Sequence, residues 1–232
     1  MMFGKWEQYL DSRIELIPVE LAGRGRRIGE ALYGDLPDAI EDVFQLVKEE
    51  ICLVKDDICA SPYALFGHSM GGLIAYELAQ KIQDHELPPP VHIFFSGQRA
   101  PHIIDAKEKK YCLMDDLEFR RELIELGGTP PEFFEIPELV DTFLPLLRND
   151  FRLAETETHQ RKIRPLDVDF SVFLGKDDDL TPEQGEGWKQ HTRQDCRIHY
   201  FDGGHFFLND LTEQLVKLIN DSLLFTGRHE TK

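Results

Sequence analysis

Short apolar runs alternate with amphipathic stretches along this chain. Ile14-Glu15-Leu16-Ile17-Pro18-Val19 reads as an early strand, and Leu21-Ala22-Gly23-Arg24-Gly25-Arg26-Arg27 as a glycine- and arginine-rich loop after it. Leu36, Ile40, Val43, Val47 and Ile51 recur at three-to-four spacing, which predicts an amphipathic helix capped by Asp35 with Pro37 in its first turn. Tyr63-Ala64-Leu65-Phe66 reads as a buried strand, followed by a helix on which Ile74, Leu78 and Ile82 share a face. Pro88-Pro89-Pro90 ends that region, and Val91 to Ser96 forms a further buried strand. From about 106 to 163 the strand signals stop. Phe119, Leu123 and Leu126 mark one helix there and Leu139, Phe143, Leu146 and Leu147 another, separated by Gly127-Gly128-Thr129-Pro130-Pro131. Val168 to Leu174 resumes the strand pattern; Thr181 to about His191 reads as a helix, Cys196 to Phe201 as a strand and Phe206 to Leu224 as a closing helix. The alternation predicts an α/β fold with a mostly parallel, doubly wound sheet, in which the helical insertion at 106–163 stands as a lid.

A chain of 232 residues, 41% hydrophobic, suffices for one α/β domain spanning 1–232. Asp and Glu number 43 against 26 Lys and Arg, a net charge of -17, which argues against nucleic acid or an anionic membrane as partner. No apolar run approaches the roughly 20 residues that span a bilayer, and the start, Met1 to Glu7, turns polar at once. A cytoplasmic protein is expected. Cys52, Cys59, Cys112 and Cys196 form no C-x-x-C and no metal-ligand spacing, so they are read as free thiols of a reducing compartment. Gly23, Gly25 and Gly29 are spaced G-x-G-x-x-x-G, one residue off the dinucleotide fingerprint, and predict no nucleotide site.

The chemistry concentrates at Gly67-His68-Ser69-Met70-Gly71, a G-x-S-x-G between a predicted strand and a predicted helix. That context is a nucleophile elbow: a sharp turn exposes the serine hydroxyl at a helix N-terminus, and small flanking residues let backbone come close. Serine needs a base to take its proton and an acid to orient that base, and in this arrangement the acid precedes the histidine. His205, in Phe201-Asp202-Gly203-Gly204-His205-Phe206, follows a strand and two glycines and is the candidate base. His68 is read as support for the elbow, His92 as packed inside its strand, and His85, His191 and His229 as solvated. The acid lies among Asp177, Asp178 and Asp179, directly after a strand; the residues alone do not choose between them, and the run lacks the neighbours of a metal site.

With these residues in place, the chain resembles the stand-alone type II thioesterases of nonribosomal peptide and polyketide synthesis. The resemblance runs through Val19 to Gly25, Phe66 to Gly71, Leu126 to Pro130, Phe143-Leu144-Pro145, Arg148 to Phe151 and Phe201 to Phe206, with Trp188 in the same family region. It implies an α/β-hydrolase fold. It implies Asp178 as the acid, since the family places it three residues after the strand-ending glycine, here Gly175. It also implies that Ser69 attacks, His205 moves the proton and the Met70 backbone N–H binds the oxyanion. The expected substrate is an acyl or aminoacyl thioester on the phosphopantetheine arm of a carrier protein, cleared when misprimed or stalled. The carrier protein is the expected partner of a monomeric enzyme, and no cofactor or metal is expected. The family opens with a strand and a Pro-x-Ala-Gly-Gly loop, which supplies a second oxyanion donor; this sequence starts after that point, near Trp6. A carrier-binding fragment impaired in catalysis and a generic esterase are the alternative readings.

Overall fold

The computed structural model describes residues 3–56, 62–104, 109–155 and 162–225. In chain order its elements are α1 (Leu36–Asp56), β1 (Ala64–His68), α2 (Met70–Asp84), β2 (His92–Ser96), α3 (Asp116–Leu126), α4 (Pro137–Glu155), β3 (Asp169–Gly175), α5 (Pro182–Glu186), β4 (Cys196–Phe201), α6 (Phe207–Asp210) and α7 (Thr212–Phe225). Among the described residues the sheet has four strands in the order β1-β2-β3-β4, all parallel.

Parallel strands are covered on both faces, and successive side chains go to opposite sides. On one face Ile93, Phe95, Phe170, Val172 and Leu174 pack with Ala75, Tyr76 and Ala79 of α2 and with Trp188. On the other, Phe94, Phe173 and Phe201 meet Phe207, Leu215, Val216 and Ile219 of α6 and α7, together with Trp6. This is the doubly wound arrangement the alternation predicts. Helix α2 is buried twice over, because Leu73, Ile74, Leu78 and Ile82 turn away from the sheet onto Leu36, Val43, Phe44 and Ile51 of α1. Helix α1 starts where its cap signal stands: Asp35 Oδ1 accepts the Asp38 N–H at 2.9 Å.

Between β2 and β3 the chain carries α3 and α4, whose Phe119, Leu123, Val140 and Leu144 make a small core of their own. Pro145 lies inside α4. Of the predicted Leu139, Phe143, Leu146 and Leu147, Leu146 is buried and Leu147 joins the small core, while in the first turns the inward residues are Val140 and Leu144, one on from Leu139 and Phe143. The expected lid bounds of 106 and 163 abut 105–108 and 156–161, outside the described residues.

Three expectations need correcting. Ile14–Val19 is not a strand. Pro18 has no N–H to donate to a ladder, β1 pairs among the described residues with β2 alone, and Ile17 and Val19 stay exposed. The closing helix is two helices, broken at Leu211 between α6 and α7. The stretch after Thr181 is one α-turn, α5, with a full capping box between Thr181 and Gln184, followed by a 3-10 segment over Gly187–His191. Cys112 and Cys196 are free thiols, while Cys59 and His229 lie outside the described residues. No described helix is long and apolar enough to cross a membrane.

Candidate active site

The C-terminal ends of β1, β2, β3 and β4 meet at one edge of the sheet, where ligands of open α/β folds bind. Strand β1 ends at His68 and α2 starts at Met70, leaving Ser69 as the whole turn, with φ 53° and ψ -123°. A positive φ at a non-glycine residue costs roughly 1–3 kcal/mol and persists only where the surroundings impose it. Here the Ser69 N–H donates to the Ser96 carbonyl at 2.7 Å, and the Ser69 carbonyl accepts the Gly72 N–H at 2.8 Å. Gly67 is demanded by close approach, since a Cβ there would lie 2.0 Å from the Gly71 carbonyl oxygen. Gly71 is different: a Cβ there meets nothing within 4 Å, so only the first glycine of the motif answers to steric need. Ser69 sits at the positive end of α2, and Met70, as its first helical residue, has a backbone N–H without an intrahelical acceptor.

His205 arrives on the loop after β4. Gly203 takes φ 110°, and the loop crosses the end of β3 so closely that a Cβ on Gly175 would stand 2.4 Å from the Gly204 carbonyl oxygen. Of the three aspartates, Asp178 meets the histidine: its Oδ2 lies 2.9 Å from His205 Nδ1, with the histidine side chain 12% and the aspartate side chain 5% exposed. A carboxylate only accepts, so Nδ1 carries the hydrogen and Nε2 keeps its lone pair. Asp178 Oδ1 accepts the Asp179 N–H at 2.8 Å, which fixes the carboxylate. Asp177 and Asp179 are exposed. Among the described residues no hydrogen bond joins Ser69 Oγ to His205; such contacts are commonly long before substrate binds.

Around the pair, His68 turns into the core. Its Nδ1 lies 3.0 Å from Ser96 Oγ and its ring centroid 4.9 Å from that of His205. Phe206 packs 5.1 Å from His205 and 5.3 Å from His68, and it is roofed by the turn between α3 and α4. A Cβ on Gly128 of that turn would lie 2.6 Å from the Phe206 ring. Ser96, Gly97, Phe206 and Gly128 were not singled out by sequence for this site. The one signal was a small pair, Ser96-Gly97, directly after an apolar strand.

The other histidines divide. His92 is packed, its Nε2 2.9 Å from Ser171 Oγ, and burial pushes its pKa down to about 4. His85 is exposed as expected. His191 is not solvated but fully buried: Nδ1 lies 2.7 Å from the Tyr76 hydroxyl and Nε2 2.8 Å from His102 Nδ1. Burial, then the charge of His102, lowers its pKa to about 4. Among the described residues no group of three or more His, Cys, Asp or Glu could hold a metal ion.

This geometry has known counterparts. The chain is 34% identical over 226 residues to a protein of Brevibacillus parabrevis named linear gramicidin dehydrogenase LgrE, covering 96% of this chain and 82% of that one. It is 32% identical to the gramicidin S biosynthesis protein GrsT of Aneurinibacillus migulanus, over 94% of this chain and 81% of the other. Among solved structures, ClbQ from the colibactin NRPS/PKS pathway superposes with a TM-score of 0.84 at 36% identity, covering 96% of this chain and 90% of its own. The model of the thioesterase domain matches residues 1–223, and the chain belongs to the thioesterase family.

Proposed function

We propose that this protein is a type II thioesterase that hydrolyses misprimed or stalled acyl and aminoacyl thioesters from the phosphopantetheine arms of carrier proteins in nonribosomal peptide or polyketide synthesis. One observation carries the reading: a strained serine at a helix N-terminus follows His68, whose ring lies 4.9 Å from that of a histidine held at Nδ1 2.9 Å from the Asp178 carboxylate. In this mechanism Ser69 Oγ attacks the thioester carbonyl carbon as His205 Nε2 takes its proton. The tetrahedral oxygen is received by the Met70 N–H at the head of α2. The C–S bond then breaks, the leaving sulfur takes the proton from His205, and the carrier's thiol departs. Water attacks the acyl-serine with His205 again as base, and a carboxylic acid leaves with Ser69 restored. Asp178 keeps the His205 tautomer and stabilises the imidazolium throughout. On this reading the acyl group would lie against the turn over Phe206 and helices α3 and α4.

The dehydrogenase activity named for the Brevibacillus relative finds no support in these residues. The Gly23–Gly29 spacing is not a dinucleotide fingerprint, and among the described residues no strand precedes it. The test is hydrolysis of an acylated carrier protein by Ser69→Ala and by the three single Asp→Asn variants of 177, 178 and 179. Ser69→Ala and Asp178→Asn should lose roughly two to four orders of magnitude in kcat while staying folded. Asp177→Asn and Asp179→Asn should stay within a few-fold of the parent. A folded, active Ser69→Ala, or faster turnover of free esters than of carrier thioesters by the parent, rejects the reading.

A further inference from the structure

His68 is the elbow residue whose chemistry the proposed mechanism leaves unused. It is buried at 8% exposure, against Ser96 on one side and the rings of His205 and Phe206 on the other. Gly97 makes the meeting possible. A Cβ there would lie 2.8 Å from His68 Cε1 and 3.2 Å from His205 Cε1, so the two imidazoles approach across a residue without a side chain, at φ 59°. Among the described residues His68 Nε2 is buried with no hydrogen-bond partner. A ring wanted for shape alone is better supplied by phenylalanine, because a buried ring nitrogen without a partner lowers stability.

We infer that His68 is a positioning residue for His205: Ser96 Oγ accepts the Nδ1 hydrogen and fixes the tautomer, and the neutral ring supports the His205 imidazolium as it forms. This rests on the roles proposed for Ser69 and His205. Burial, and after it the charge of His205, holds the His68 pKa down to about 3, so His68 stays neutral while its neighbour carries the proton. A second cation at this distance would oppose proton transfer from Ser69. The ionisable groups described against His205 are His68 on its ring and Asp178 on Nδ1; its neighbour Phe206 lies between it and Gly128 of the turn above. Ser96 serves twice, since its carbonyl fixes the Ser69 backbone and its hydroxyl fixes the ring next door. No proton passes through His68. The proton runs from Ser69 Oγ to His205 Nε2 and on to the leaving sulfur.

The experiment titrates His205 by NMR in the parent, His68→Phe and Ser96→Ala, alongside kcat and KM on an acylated carrier protein. Ser96→Ala leaves the backbone bond to Ser69 in place and removes only the hydroxyl. His68→Phe should weaken proton binding at His205 about tenfold and lower kcat about tenfold with KM within about twofold. Ser96→Ala should move both in the same direction by less. The melting temperature of His68→Phe should hold or rise. A merely structural role predicts the opposite, a lower melting temperature with His205 titrating as in the parent, and that result overturns the inference. Should His68→Phe not fold, Ser96→Ala decides: an unchanged His205 titration in that variant overturns it too. The titration needs no turnover. An active Ser69→Ala with a His205 pKa still dependent on His68 would therefore reject the catalytic reading and uphold the contact.

Discussion

His191 shows what burial does to a single titratable residue here. Its pKa is about 4, that of His92 about 4 and that of His68 about 3, against about 6.5 in an unfolded chain. A folded pKa below the unfolded one means that the unfolded chain binds protons first. The stability these groups contribute is therefore complete above pH 6.5 and is lost as pH falls toward each folded value. For His191 the loss approaches about 1.4 kcal/mol per pH unit within that window. Urea midpoints of the parent and of His191→Gln, taken from pH 8 to pH 4, should diverge in slope between about 6.5 and 4, with the variant flatter. The carboxyls of Asp150 and Glu77, raised by burial, titrate in both proteins and drop out of the difference. Parallel curves would show that His191 takes no part in acid unfolding. The same residue marks the limit of local reading. Ser69 and His205 were legible because a turn, a strand end and adjacent glycines announce them within a few positions. His191 looked solvated among Lys189, Gln190 and Thr192 because the Tyr76 that encloses it is 115 positions away in sequence. Asp178 was legible by residues only as one of three, because the choice depends on where the loop after β4 falls across β3.

Among elements, the elbow makes the sharpest contrast. Gly67→Ala would drive a methyl group into the Gly71 carbonyl, backbone against backbone at a junction that cannot shift without moving Ser69. It should lower the melting temperature by about 10 °C or more, or prevent folding, as overpacking against main chain costs at least about 1–3 kcal/mol. Gly71→Ala finds open space at a helical position without positive φ and should leave the melting temperature level or raise it. Thermal scans of the two variants check this, and equal losses would contradict the geometry. Elements with strong local signals were legible to within a residue or two: β2, β4, the Asp35 cap of α1 and the Gly127-Gly128 stop after α3. Two others failed for reasons sited elsewhere in the fold. Ile14–Val19 has strand-like composition but pairs with no described strand, and Leu211 interrupts a helical pattern whose Phe207, Leu215, Val216 and Ile219 pack with Phe173 and Phe201. On α4 the predicted Leu146 and Leu147 do turn inward, but the first turns are one residue off, because the side they present is set by Phe119 and Leu123 of α3.

The whole molecule holds α4 in two different ways along its length. Toward its end, Asp150 accepts from Arg24 at 2.7 and 3.2 Å, Arg152 donates to the Tyr33 and Gly34 carbonyls at 2.7 and 2.6 Å, and Leu153 is buried among α1 and α2. Val140 and Leu144, before Pro145, belong to the separate core with α3 alone, while Leu147 and Phe151, after it, reach that core from the half that is also tied to Arg24, Tyr33 and Gly34. Pro145 cannot donate to the Asp141 carbonyl, so the ladder of the helix is interrupted just ahead of the doubly anchored half. Cooperative opening follows burial and bonding more closely than it follows the bounds of an element. Under native conditions the amides of Leu139–Leu144 should therefore exchange with deuterium at the rate of α3, while those of Leu147–Leu153 stay protected as long as α2 does. Mass spectrometry of peptides cut near Pro145 would resolve the two. A single rate along all of α4 would mean that the helix opens as one piece. Two rates would make one continuous helix the border between a part free to open with α3 and a frame that keeps Ser69, His205 and Asp178 in register while it does.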